Sequence, residues 1–279
     1  MGFEIRAALP EDAVGIAGVW AAAMPHLVKT ARGIEAELRS SASRVVLIAV
    51  EDGEVVGELH PWMAPDRRLR LFFEGTEPAA YGPLLEKVEE PCLTIVDESD
   101  RESVAALVSL GFAVVRREVL LEIPVTRTSF AVPAGYRLIS AADTGVRDLM
   151  ALDDALRHDV PGAEGWESNE TSFREETYES PYFDPQAYLV AVNDQNDHVG
   201  LVRIWNGPRP LPRLGMIGVL PAHRRRGLAR ALISTAVNVL SDRGATLATA
   251  EADETNTASL TLLDSFGARR VGMDLELGR

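Results

Sequence analysis

M-I-G-V-L-P-A-H-R-R-R-G-L-A-R-A-L, running from Met216 to Leu232, is the stretch that decides how the rest of the chain is read. Ile217 and Val219 are β-branched and alternate with smaller or unbranched neighbours, which predicts a strand. Pro221 ends that strand, because proline cannot donate to a sheet ladder. After Gly227, Leu228, Ala231, Leu232, Thr235, Val239 and Leu240 recur at helical spacing, predicting a helix of about three to four turns. A strand, a short turn of three arginines and a glycine, and a helix make a phosphate-binding construction. The first N–H groups of a helix lack internal partners, and its dipole adds positive charge at that end. Gly227 has no Cβ, so backbone can approach a bulky anion. Ala229 keeps the next position small, and Arg224, Arg225, Arg226 and Arg230 supply charge around a diphosphate.

Composition narrows the class. The 279 residues carry 28 Lys and Arg against 42 Asp and Glu, for a net charge of −14, so the surface repels nucleic acid and anionic lipid. The single cysteine, Cys92, forms no internal disulfide, which fits a reducing cytoplasm. The first dozen residues hold no long apolar run, and no stretch reaches about 18 apolar residues, so neither a signal peptide nor a membrane span is expected. The histidines are scattered, there is no H-E-x-x-H, and no cysteine pair, so no metal site is expected.

Read in order, the chain repeats itself. Phe3 to Arg6 is a strand, Pro10 to Trp20 a helix, Val45 to Val50 and Glu54 to Leu59 a hairpin turning at Asp52-Gly53. Leu69 to Phe73 is a strand, Pro83 to Val88 a helix, Cys92 to Val96 a strand. Glu102 to Leu110 is a helix capped by Gly111, and Val114 to Val125 is extended. The second half answers with a strand at Tyr136 to Ile139 and a helix at Asp143 to Leu156. A hairpin follows from Tyr188 to Ile204, then a strand at Ala245 to Asp253, a helix from Ser259 to Phe266, and a last strand from Arg269 to Leu277. This predicts two tandem domains, 1–126 and 134–279, joined through Thr126 to Gly135. Gly57 answers Gly200 and Gly111 answers Gly267, yet the first pair is 54 residues apart and the second 67. The missing residues fall where the second copy holds its arginine-glycine turn. The first copy has Phe73-Glu74-Gly75-Thr76-Glu77-Pro78 there, and its carboxylates would repel a diphosphate. The N-terminal domain is therefore expected to have lost the site.

Arg224 to Ala229, with Val219 and Pro221 before it and Ala231-Leu232 after it, resembles the R/Q-x-x-G-x-G/A signature of the GNAT superfamily, the acyl-CoA-dependent N-acyltransferases. The doubled layout resembles double-GNAT enzymes. The resemblance implies an α/β fold of two tandem GNAT domains, each a mixed, mostly antiparallel central sheet flanked by helices. It implies acetyl-CoA as co-substrate, bound by the backbone of Ile217, Gly218 and Val219 and by the amides from Arg224 through Gly227 and Leu228 to Ala229. It also implies an oxyanion-stabilising N–H near Ile217 and Val219. Asn256 and Ser259 match the family's second cofactor region; they either contact the cofactor or cap the next helix. The tyrosine that often protonates the leaving thiolate falls on Leu263.

An ammonium acceptor needs a base. Glu251 is either that base or a salt-bridged acid. The segment His158 to Tyr188, dense in aromatics and acids and read as a long loop, is expected to form the amine-binding wall through His158, Asp159, Trp166, Tyr182 and Tyr188. The functional expectation is an N-acetyltransferase acting on a small primary amine, as a monomer or homodimer. An acyl-CoA sensor of weak catalysis and a protein N-acetyltransferase are the alternatives.

Overall fold

A computed structural model describes residues 2–23, 29–39, 45–88, 91–207 and 210–279. The chain divides into two compact units. The first comprises Met1–Arg117 with Met273–Arg279, and the second comprises Glu118–Gly272.

In the first unit, strands β1 (Glu4–Ala7), β2 (Leu47–Glu51), β3 (Glu54–Met63), β4 (Leu69–Phe72) and β5 (Cys92–Asp97) lie side by side in that order. All pairs are antiparallel except β4 with β5. Helices α1 (Ala13–Ala23), α2 (Ala31–Arg39), α3 (Pro78–Leu85) and α4 (Arg101–Ser109) complete it. The hairpin at Asp52-Gly53 turns with both residues at positive φ, 51° and 86°, as the Asp-Gly pair predicts. Pro83 lies inside α3 instead of opening it; Pro78 takes the favoured first-turn position. Helix α2 has no counterpart in the sequence reading, since its run A-R-G-I-E-A-E-L-R buries only Ile34.

The second unit repeats the order with β7 (Tyr136–Ser140), β8 (Tyr188–Asn193), β9 (His198–Trp205), β10 (Arg213–Val219) and β11 (Leu247–Asp253). Again only the fourth and fifth strands, β10 and β11, run parallel. Its helices are α5 (Val146–Arg157), α6 (Glu170–Thr177), α7 (Leu228–Asp242) and α8 (Thr257–Asp264). The core joins Leu149, Leu152 and Leu156 of α5 to Tyr188, Val190, Leu201 and Met216 of the sheet.

The unit boundaries differ from the expected 1–126 and 134–279, because two strands are divided. Strand β6 (Ala113–Pro124) gives its last seven residues to the second unit, where Glu118 to Pro124 pair antiparallel with β11. Strand β12 (Arg269–Gly278) gives its end to the first unit, where Asp274 to Gly278 pair antiparallel with β5. Each unit's sixth strand thus comes from the half of the chain that supplies the other unit. The expected linker is also built into the second unit: Thr128 exchanges bonds with Ser234 and Asn238 of α7, and Arg127 pairs with Asp242. Among the described residues no helix is long and apolar enough to cross a membrane.

Candidate active site

The last rung between β10 and β11 joins Leu214 to Ala250. Beyond it the two strands part, although β10 continues to Val219 and β11 to Asp253. On its other side β10 stays bonded to β9 as far as Val219 opposite Gly200. The Leu220 N–H reaches the Val199 carbonyl at 2.8 Å. By the two-residue alternation of a strand, Gly218 then addresses β9, and the backbone groups of Ile217 and Val219 face the gap.

The gap opens onto the arginine-glycine turn. Arg225 and Gly227 both sit at positive φ, 63° and 90°. Glycine takes that conformation freely, whereas an arginine there is held by its surroundings. The first bond inside α7 runs from the Ala231 N–H to the Gly227 carbonyl, 3.0 Å, so the amides of Leu228, Ala229 and Arg230 have no helical partner. A cleft of about 530 Å³ follows, lined by Ile217, Gly218 and Val219 of β10, Arg224, Arg225 and Ala229 of the turn and α7, and Asn256 to Ser259 of α8, with Leu156 and Asp159. Unpaired amides, left-handed backbone and a helix N-terminus are the donor set an anionic diphosphate needs, so the residues present fit an acyl-CoA.

The arginines divide their work differently from the expected ring of charge. Arg224 donates from Nε to the Val219 carbonyl at 2.8 Å and pairs with Asp159, tying the turn to strand and loop. Arg226 reaches the Ala222 carbonyl, and Arg230 lies over the Phe130 ring. Arg225, exposed and on the cleft wall, carries charge toward it. Leu228 is a core side chain, only its amide being placed for binding.

Of the two readings of Asn256, the cap is present: its side chain accepts from the Ser259 N–H at 3.0 Å. Both residues also line the cleft. Leu263 is 2% exposed and faces the core, so that position carries no group able to protonate a thiolate. Glu251 lies on β11 just past the last rung, outside the cleft's lining, with its carboxylate held by the Arg213 guanidinium of β10, Nε to Oε2 at 2.5 Å. This ion pair links the two strands where they part.

The expected amine-binding wall is largely dispersed. Its segment is not one loop: Asn169 caps α6 by accepting from the Ser172 N–H at 2.9 Å, an N-cap signal legible in the sequence. Tyr188 is corrected from wall to core, 1% exposed, because it opens a fully buried strand; burial pushes its hydroxyl pKa upward. Tyr178 donates to the Thr144 carbonyl at 2.8 Å and burial pushes it up to about 12. Burial raises the Asp184 carboxyl pKa, but bonds from Arg243 and Asn206 outweigh it and hold that pKa below the usual range. Trp166 packs under the Arg157 guanidinium, His158 meets the Trp166 carbonyl, and Tyr182 is exposed. Only Asp159 of that set reaches the cleft. The sequence reading missed Arg203 and Asp153, 8% and 1% exposed: Arg203 is the one charged residue in an otherwise apolar run of β9, and that was its signal.

In the first unit the corresponding turn is bonded to its own sheet. The Thr76 hydroxyl accepts from the Glu58 N–H at 2.8 Å and donates to the Glu58 carbonyl at 2.7 Å. Gly75, at φ 59°, packs against Val19.

Parted parallel strands opening onto a glycine turn and helix N-terminus define an acyltransferase domain of the GNAT kind. Residues 152–268 match the acetyltransferase (GNAT) family, and this segment belongs to it. The chain is similar to the mycothiol acetyltransferase of Thermomonospora curvata, 28% identical over 260 residues, 85% of this chain and 83% of that protein. It is also similar to that of Kocuria rhizophila, 32% identical over 101 residues, a match spanning 34% of this chain and about a third (33%) of that protein. In fold it resembles a GCN5-related N-acetyltransferase from Sphaerobacter thermophilus, with TM-score 0.71, 18% identity, and 99% and 95% of the two chains covered. It likewise resembles a tandem GNAT protein from the clavulanic acid biosynthesis pathway, with TM-score 0.72, 16% identity, and 100% and 98% covered.

Proposed function

We propose that this chain is an N-acetyltransferase moving an acetyl group from acetyl-CoA to a primary amine of a small molecule, through the cleft of the second unit. The observation that carries the reading is the gap between β10 and β11, which opens directly onto the left-handed turn at the N-terminus of α7. The family match and the acetyltransferase names of the similar proteins support the same donor.

When bound, acetyl-CoA would supply a thioester whose carbonyl carbon takes the amine while its C–S bond breaks, the CoA thiolate leaving and taking a proton from water. Amides of Leu228, Ala229 and Arg230 and the Arg225 guanidinium would hold its diphosphate. The gap-facing backbone of Ile217 and Val219 would hold its arm and the carbonyl oxygen on which charge grows. Most of the acceleration then comes from fixing two reactants in one gap. Glu251 is the proposed proton acceptor, working while bridged to Arg213. Glu251→Gln preserves shape and removes basicity, so turnover is expected to fall about 10²-fold with acetyl-CoA affinity unchanged. A normal rate and pH profile would transfer the role to another acid, Asp159 first.

An amine panel assayed with acetyl-CoA for free thiol tests the reading. Thiol release with small primary amines is the expected result. Release only with peptide amines would make this a protein N-acetyltransferase. Tight binding with no release would favour an acyl-CoA sensor, to which the core position of Leu263 lends weight. Calorimetry is expected to return one acetyl-CoA per chain, because Thr76 bonds the corresponding turn in the first unit to its own sheet. Two equivalent sites would refute that.

A further inference from the structure

Gly215 is the first residue of β10 beyond its last rung with β11. At the same point β10 slips against β9: Leu214 faces Ile204 and Met216 faces Arg203, leaving Gly215 as an inserted residue between them. Such a bulge turns the strand and re-aims the groups that follow it. Gly215 is outside the positive-φ region, so its conformation alone does not call for glycine. Space does. A Cβ at Gly215 would lie 2.3 Å from Trp205 Nε1 and 2.4 Å from Trp205 Cδ1. The indole fills the room beside the bulge.

That indole is itself held. The Arg203 guanidinium lies 4.7 Å from the Trp205 ring centre and 5.7 Å from that of Tyr188, close enough for cation–π attraction to both. Arg203 is nine-tenths buried, with Nη1 3.6 Å from Asp153 Oδ1. Asp153, on α5, also binds Arg157, whose guanidinium covers Trp166. Buried charges persist when paired, and this chain of pairs fixes α5, β9 and the bulge to one another. Of these residues, sequence reading gave a part only to Tyr188 and Trp166.

We propose that Trp205 is a positioning residue for acyl transfer: held by Arg203, it keeps the Gly215 bulge in place and so fixes the direction of the first backbone groups of β10 that enter the gap. The inference rests on the reading of that gap as the acyl-CoA site. Donors to a carbonyl oxygen must sit within about 2.7–3.1 Å of where its charge develops, so a bulge that relaxes by a fraction of an ångström loses the alignment. The diphosphate turn, at the other end of the cleft, is untouched by Trp205.

The test compares CoA with acetyl-CoA on the full chain carrying Trp205→Ala, Trp205→Phe, Gly215→Ala and the Trp205→Ala/Gly215→Ala pair. Calorimetry gives both affinities, thiol release at saturating acetyl-CoA gives turnover with the amine chosen by the panel, and melting reports folding. Trp205→Ala is expected to bind CoA within about twofold of the parent while losing its preference for acetyl-CoA and about tenfold or more in turnover. Trp205→Phe, which still fills the space, should recover most of both. Gly215→Ala should mimic Trp205→Ala, because its methyl displaces the indole. The pair should be no worse than either single change, since each removes the same contact. Losses that add in the pair, or equal weakening of CoA and acetyl-CoA, would overturn the proposal. A parent chain that binds neither ligand would instead overturn the acyl-CoA reading, and the proposal with it.

Discussion

Replacing Gly227 with valine is expected to raise the dissociation constant for acetyl-CoA by roughly 100-fold, about 2.8 kcal/mol. Two effects add. Gly227 sits at φ 90°, a region a β-branched side chain does not occupy without strain of about 1–3 kcal/mol. The strain is relieved by turning the peptide, which swings the free amides at the start of α7 away from the diphosphate. The protein leaves room for the new atoms, since among the described residues Pro133 Cγ, the one neighbour within 4 Å of a Cβ there, is 3.8 Å away. Packing of α7 is therefore spared, and the loss should appear in ligand affinity well before it appears in melting temperature. Calorimetry with acetyl-CoA measures it; an unchanged affinity would remove this turn from the site.

Leu263→Tyr is expected to lower stability more than any other change considered. The family's tyrosine falls on this position, and on sequence alone the substitution could restore a proton donor. Burial decides otherwise. At 2% exposure the added ring atoms overpack α8 against the core, about 1–3 kcal/mol, and the hydroxyl loses water without a placed partner, about 1–3 kcal/mol more. Together these should depress the melting midpoint by on the order of 10 °C. Activity should fall in step with the folded fraction. An unchanged midpoint with higher thiol release would reverse the assignment and make Leu263 a vacant acid position.

Much of this was legible in the sequence because local signals and tertiary demands coincide. Gly227, the strand before it and the helix after it are specified within one stretch, and Asp52-Gly53 names its own turn. The duplication was readable from the order of elements, and both units keep it. What escaped reading depends on partners far along the chain. Nothing near Arg213 announces that it meets Glu251, and nothing near Asp153 announces Arg203. Tyr188 was drawn into the wall by its company of aromatics, yet its strand is buried on both faces, where hydrophobic pattern cannot distinguish lining from core. The division of β6 and β12 lay beyond local pattern altogether, since each half-strand has the same sequence character whichever sheet takes it.

That division sets the order of assembly. A ribosome delivers the residues of β5 long before those of β12, yet the strand that covers the edge of β5 is Asp274 to Gly278. Until β12 is made, the first unit holds an unpaired strand edge, the kind of surface that recruits other chains. Expressing residues 1–126 alone would make that exposure permanent, and expressing 134–279 alone would leave β11 without Glu118 to Pro124. The two copies are duplicates in sequence order but not separable parts, since each half of the chain supplies a strand that the other unit pairs with.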